Sequence, residues 1–310
     1  MSSPTGPANG LPVRMPRPRQ TGRHRRPEPA VAPEGAPALV LAVPGAPSAA
    51  SRGYAEEILS IGRSELPGLD AHIGFVEGDA GDDTAAAEFP GLSAVLTAIG
   101  QQRAARAEFA RANGQDVPPP SGPDAVVVPL LVGPDGDLLR RIRRAMMDCS
   151  AAVELADVLG PHPLLAEAVH VRLSEAGLAR ADRARLFTVT TAADGIILAT
   201  TGGPEAVQAA GITGMLLAAR LAVPVMAAAL DQEGSVAAVA DELRQSSGAV
   251  QLALAPYLIG PEAADGLLDT ACKEAGCAAA DALGAYPALG KLAVAQYSRA
   301  AGISLDAPVH

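Results

Sequence analysis

Acidic side chains follow two of the apolar runs that are typical of buried strands. One run ends in Glu77-Gly78-Asp79, and another is followed by Asp135-Gly136-Asp137. Carboxylate oxygens can hold a metal ion or, where burial raises their pKa, accept a proton. An oxygen-only pair favours hard cations, whereas Co²⁺ and Fe²⁺ bind better where imidazole is available. The alternative is structural, with Asp137 as a helix N-cap and Glu77 in a solvated acidic loop.

Four arginines follow the Asp137 turn at the start of a helix: Arg140, Arg141, Arg143 and Arg144. Guanidinium groups bind carboxylates through two parallel hydrogen bonds, so the cluster suits a ligand that carries several acidic groups. The alternative is the solvated face of an amphipathic helix. Residues 264–275, the equivalent segment of the second half, have no such cluster, so any contact with an anion would be one-sided.

The elements that must position these side chains come from an internal repeat. The run at 125–134 recurs at 252–261, with Pro129 matching Pro256 and Pro134 matching Pro261. An apolar run that ends in Gly-Pro is typical of a strand buried on both faces. Strands alternate with helices in both halves, which predicts parallel sheets whose carboxyl ends bind ligands. We therefore expect an α/β protein of two similar lobes, each a parallel sheet flanked by helices, with a cleft between them.

The domain organisation follows from composition. Residues 1–35 are rich in proline and arginine and read as a disordered basic tail, with six arginines against one glutamate up to Ala30. Such a tail could bind an acidic partner, or it could simply be solvated. The predicted lobes are 36–180 and 181–303, and 304–310 form a second tail.

Several classes of function are disfavoured. Gly202-Gly203-Pro204 matches neither the dinucleotide fingerprint nor a Walker motif, so no nucleotide is expected. The net charge of −10 is the sum of +5 in residues 1–30 and −15 in the rest of the chain, and this acidic folded part argues against specific nucleic-acid binding. No apolar run approaches the ~20 residues that cross a bilayer, so we predict no membrane span and a cytoplasmic location.

The order of these motifs resembles the class II tetrapyrrole chelatases, the sirohydrochlorin cobalt- and ferrochelatases of cobalamin and siroheme biosynthesis. The similarity is carried by Phe75-Val76-Glu77, by the strand that begins at Ala125, and above all by Gly160-Pro161-His162-Pro163-Leu164-Leu165-Ala166-Glu167. It covers about residues 36–300 in two copies. It implies that a divalent metal (Co, Fe or Ni) is inserted as a substrate into a carboxylated tetrapyrrole bound between the lobes.

The resemblance also implies site residues. The family's first histidine falls at Pro44, its strand-end glutamate at Glu77 and its second histidine at Asp137. Glu77 and Asp137 thereby become the candidate catalytic and metal-binding pair, and His162 a further candidate ligand whose alternative role is helix capping. Gly45, Gly202, Arg140 and Arg141 are the candidate substrate contacts. The equivalent positions in the second half are Thr201, Asp231 or Glu233, and Ala264 or Asp265.

Because these positions carry no imidazole, two functions are open, and a scaffold protein in which the basic tail does the binding is a third. One is a chelatase, a lyase whose activity is lost or altered. The other is a non-catalytic protein that binds or carries a tetrapyrrole or a metal, a pseudoenzyme of the same fold.

Overall fold

The computed structural model describes residues 30–78, 88–115, 122–179, 193–260, 262–264 and 266–305. Most of the basic tail, for which an acidic partner was considered, therefore lies outside the described residues. Residues 306–310 and the predicted lobe boundary at 180/181 also lie outside them. Residues 30–35 of the predicted tail lie against the first lobe, where the Ala32 N–H donates to the Pro67 carbonyl at 2.9 Å.

Eight strands and eight helices alternate along the described chain, and they form two sheets. The strands are β1 Ala38–Val43, β2 Ala71–Phe75, β3 Ala125–Pro129, β4 Val153–Leu155, β5 Gly195–Thr200, β6 Val225–Ala229, β7 Leu252–Pro256 and β8 Ala278–Ala279. The helices are α1 Ala49–Glu65, α2 Leu92–Ala112, α3 Gly136–Met147, α4 Pro163–Glu175, α5 Gly203–Leu221, α6 Ser235–Ser247, α7 Leu267–Ala275 and α8 Pro287–Ala300.

Both sheets are entirely parallel and have the same strand order. The order is β2-β1-β3-β4 in lobe 1 and β6-β5-β7-β8 in lobe 2, so the first strand of each lobe lies between the second and the third. The structure confirms the predicted fold class: two parallel four-stranded sheets, each flanked by helices.

The central strands are buried on both faces, as their continuous apolar runs predict. In β1, Leu39 and Leu41 join the core cluster that contains Ile58 of α1, whereas Val40 joins the cluster that contains Ile142 of α3. Helices therefore leave the sheet on opposite faces at the point between β1 and β3 where the strand order reverses. This topological switch point is where open α/β sheets bind ligands.

The closing helix of each half lies across the other lobe. Helix α4, which follows β4, packs on α5 and β7, and α8 packs on α1 and β3. The Tyr297 hydroxyl of α8 donates to the Pro37 carbonyl before β1 at 2.7 Å, and the buried Tyr257 hydroxyl bonds Thr213 Oγ1 at 2.9 Å. Side chains of both sheets thus share one core cluster.

The start of α3 differs from the predicted one. Its N-cap is Asp135, whose Oδ1 accepts from the Asp137 and Leu138 N–H groups at 3.0 Å each. The prediction that Asp137 is the cap is wrong because the cap lies two residues earlier, so that the helix begins at Gly136 and Asp137 lies in its first turn. None of the helices in the described ranges is long and apolar enough to cross a bilayer.

Candidate functional site

A cleft of about 830 Å³ lies where the carboxyl ends of the two sheets face each other. The loops after β1, β2 and β3 supply its lobe 1 side, which consists of Gly45, Glu77, Asp135, Gly136, Asp137, Leu138 and Arg141. The loops after β5, β6 and β7, with the start of α7, supply its lobe 2 side, which consists of Thr201, Gly202, Gly203, Pro204, Glu205, Asp231, Glu262, Ala264 and Leu267. Six carboxylate residues and one arginine therefore line the cleft.

Two of the carboxylates are neutralised within lobe 1. Arg141 Nη1 donates to Glu77 Oε1, which joins the second turn of α3 to the end of β2. Arg140 Nη2 donates to Asp137 Oδ1 within the first turns of α3. Both guanidinium groups, which were predicted to contact an anionic substrate, are therefore already paired with carboxylates of their own lobe.

Two other carboxylates are held by backbone N–H groups. Asp135 Oδ1 accepts the two N–H groups at the start of α3, and Asp231 Oδ2 accepts the Gly202 N–H at 2.9 Å. In each case one oxygen is fixed by the backbone, and the other accepts no hydrogen bond from the described residues. These carboxylates are oriented while keeping free acceptor capacity.

Glu262 occupies the position in lobe 2 that Asp135 occupies in lobe 1. Its Oε1 and Oε2 accept the Ile259 and Gly260 N–H groups at 2.6 and 2.8 Å. Desolvation raises the pKa of the Glu262 carboxyl, the backbone hydrogen bonds oppose that shift, and the negative charge of Asp135 adds to it. The effect of Asp135 means that the two loops after the repeated Gly-Pro motifs bring like charges near each other across the cleft.

At Gly202 the backbones of the two lobes come close together within the site. Its φ is +104°, and a Cβ at this position would lie 2.7 Å from the Pro134 carbonyl oxygen of lobe 1. Only glycine fits both the left-handed backbone and this contact. The conformation also aims the Gly202 N–H at Asp231, so the glycine positions a carboxylate as well as a loop.

Five of the candidate residues line the cleft: Gly45, Glu77, Asp137, Arg141 and Gly202. Of the second-half equivalents, Thr201, Asp231 and Ala264 also line it, whereas Asp265 lies outside the described residues.

Two candidates lie elsewhere. Arg140 is exposed on α3 and paired with Asp137, beyond the lining of the cleft. His162 is the N-cap of α4, where its Nδ1 accepts the Leu164 N–H at 3.1 Å, and it borders a different cavity. The capping alternative for His162 is therefore confirmed. The proposed metal roles of Glu77, Asp137 and His162 stay predictions, although in the described ranges no three His, Cys, Asp or Glu side chains stand together as a metal site.

Three carboxylates of the cleft were not among the candidate site residues: Asp135, Glu205 and Glu262. The repeat could have identified two of them, because Asp135 directly follows Pro134 and Glu262 directly follows Pro261, the prolines of the repeated Gly-Pro. Glu205 follows Pro204 in the first turn of α5 and has no repeat partner that would have identified it.

No family model matches the chain, and no curated protein does. Two solved structures are similar at low identity. One is a periplasmic ribose ABC transporter protein from Conexibacter woesei, with 13% identity, 74% of this chain and 65% of that chain covered, and a TM-score of 0.28. The other is the substrate-binding protein of a sugar ABC transport system from Bordetella parapertussis, with 11% identity, 90% and 84% covered, and a TM-score of 0.32. The chain thus spans just under two thirds of the first of these proteins.

These findings correct the chelatase hypothesis. The similar structures are sugar-transport proteins rather than chelatases. Both functions derived from the resemblance, the insertion of a metal into a tetrapyrrole and the carriage of a tetrapyrrole or a metal, are corrected together with the family assignment. The cleft offers a physical reason. Four of its carboxylates have no cationic partner among the described residues, and they would repel a ring that itself carries many carboxylates. Motif order and one turn sequence were too short a basis for assigning the family.

Proposed function

We propose that the protein binds a small organic cation, an amine-bearing molecule, in the cleft between its lobes. The observation that carries this proposal is the excess of carboxylates: in the described part of the chain, no arginine or lysine pairs with four lining residues, Asp135, Glu205, Asp231 and Glu262. A cleft of about 830 Å³ is within the usual size of a small-molecule site.

The carboxylates are spread over both sides of the cleft. Asp135 belongs to lobe 1, whereas Glu205 and Asp231 belong to lobe 2. An extended molecule with an amino group at each end can satisfy charges on both sides at once. A diamine therefore suits this distribution better than a compact cation does.

The helix N-termini at the cleft do not favour an anion. The first residues of α3 and α5 line the cleft, and free N–H groups at such positions would attract negative charge. At α3, however, the N–H groups of Asp137 and Leu138 are already bonded to Asp135. At α5, Glu205 lies in the first turn and offsets the helix dipole.

A neutral polyhydroxyl molecule is the second candidate, because the Glu77–Arg141 pair offers both donors and acceptors to hydroxyl groups. The two ligands differ in charge, so salt and carboxylate substitutions separate them.

Isothermal titration calorimetry with putrescine, ribose and glutarate tests the proposal. We expect putrescine to bind, with an affinity that falls as salt rises and falls about tenfold in Glu205→Gln and in Asp231→Asn, the loss of one charge-assisted interaction each. The matched control is Glu242→Gln, on the exposed face of α6 and outside the lining, which should leave binding unchanged.

Binding of ribose without binding of putrescine would replace the proposal with the polyol alternative. Binding of glutarate in preference to both would contradict the electrostatic reasoning. Equal affinities of Glu205→Gln, Asp231→Asn and Glu242→Gln for putrescine would place the amine outside the cleft.

A further inference from the structure

A second cavity, of about 590 Å³, lies at the seam between the lobes and has a different character from the cleft. Lobe 1 supplies the loop after β4 together with Arg143 of α3, and Ala209 of α5 and Arg299 of α8 close it from the other side. We call it the seam pocket. Helix α3 separates it from the cleft, since Leu138 and Arg141 line the cleft while Leu139 and Arg143 line the seam pocket.

The polar groups of the seam pocket are mainly donors. Arg143 has no ion-pair partner among the described residues. Arg299 has only a long, exposed pair with Asp157, at 3.7 Å, and such pairs contribute little. His162 uses Nδ1 as an acceptor for the Leu164 N–H, so the neutral ring carries its proton on Nε2 and presents a donor there. Two guanidinium groups, one imidazole N–H and one carboxylate leave the pocket with a net positive charge.

Apart from Gln296, whose Nε2 donates to the Val158 carbonyl and whose Oε1 has no partner among the described residues, most of the remaining lining is apolar. Leu139, Leu155, Val158, Leu159 and Ala209 all border the pocket. Inorganic phosphate would leave these surfaces without contact, whereas a carboxylate on a hydrocarbon body would cover them and still reach the arginines.

In the equivalent seam of the other half, larger side chains stand beside the two loops. There the ring of Tyr54 lies against Gly260 in the loop after β7 and Gly284 in the loop after β8. A Cβ added to these glycines would lie 3.4 and 3.7 Å from the ring, respectively. Arg172 of α4 donates to the Leu283 carbonyl from Nη2 at 2.7 Å and from Nε at 3.2 Å.

In the seam pocket, shorter side chains stand in the corresponding places. Gln296 of α8 donates to the Val158 carbonyl at 2.8 Å, much as Arg172 donates to Leu283, and Ala209 borders the space beside it. The duplicated fold therefore accommodates larger side chains at one seam, and Ala209 and Gln296 leave more space at the other.

We propose that the seam pocket is a second ligand site, specific for a small organic anion with a carboxylate on an apolar body. The carboxylate lies between Arg143 and Arg299, and the hydrocarbon part lies against the leucine and valine side chains. The site is separate from the cleft and opposite to it in charge.

Ligand-observed NMR titration of the full chain with hexanoate, hexanol and inorganic phosphate tests this site. We expect hexanoate to bind, and Arg143→Ala to weaken it about tenfold, the loss of one charge-assisted contact. The matched control is Arg144→Ala, which is on the same helix and also exposed but outside both linings, and which should bind hexanoate as the unmodified chain does.

A second variant keeps every charge and removes only the space. Ala209→Tyr places in this seam the residue type that Tyr54 supplies in the other, so it should abolish hexanoate binding while thermal unfolding reports an intact fold. Equal binding of hexanol and hexanoate, equal binding of phosphate and hexanoate, or full binding by Arg143→Ala or by folded Ala209→Tyr would each overturn the assignment.

Discussion

The contact between α1 and α8 depends on Gly290, and Gly290→Ala should destabilise the protein. A Cβ there would lie 2.6 Å from Ile61 Cγ2 and 2.9 Å from the Ile58 carbonyl oxygen. Rotation of Ile61 would move its Cγ2 but not its Cβ, which lies 2.7 Å away, and the carbonyl belongs to the backbone of α1, so the helices must separate. Such overpacking lowers the free energy of unfolding by roughly 3 kcal/mol at the upper end of its usual range. The higher helix propensity of alanine raises it by about 1 kcal/mol. We expect the free energy of unfolding to fall by about 2 kcal/mol.

Gly211→Ala in α5 is the matched control, because no heavy atom lies within 4 Å of its Cβ position. There only the helix propensity changes, and the free energy of unfolding should rise by about 1 kcal/mol. Urea denaturation followed by circular dichroism measures both variants against the unmodified chain. If Gly290→Ala were as stable as Gly211→Ala, the close crossing of α8 over lobe 1 would be refuted.

Three further outcomes follow from buried or capping groups. Tyr257→Phe should lower the free energy of unfolding by about 1–3 kcal/mol, because Thr213 Oγ1 loses its buried partner, and a change within error in urea denaturation would contradict this contact. Asp135→Ala should lower the free energy of unfolding by about 1 kcal/mol because α3 loses its cap, whereas Asp135→Asn, which can still cap, should change it little. Equal decreases in the two variants would contradict the capping role. The raised pKa of Glu262 makes its contribution to stability complete below the unfolded value of 4.5 and lost as pH rises through the folded pKa. Glu262→Gln should therefore gain stability relative to the unmodified chain as urea unfolding is repeated at rising pH, and parallel pH profiles would contradict the shift.

Local sequence determined the architecture. The repeated apolar runs ending in Gly-Pro, with helical segments between them, predicted two parallel sheets, since strand burial and crossover handedness follow from short-range pattern and chain chirality. The same pattern placed Gly45, Glu77, Asp137, Arg141 and Gly202 at strand ends, and all five line the cleft. The chelatase hypothesis failed because a fold of this kind accommodates many functions, and strand-end motifs record the fold more than the ligand.

Only the tertiary structure decided the chemical character of the two cavities. Spacing alone could not show that Arg141 pairs with Glu77 or that Asp231 holds the Gly202 N–H, since these partners come from different strand ends. Nor could it show that α4 and α8 cross to the opposite lobes and leave a basic pocket beside Arg143 at one seam. Charge at a site depends on which side chains neutralise one another in space, and residues distant in the chain meet only when the lobes pack.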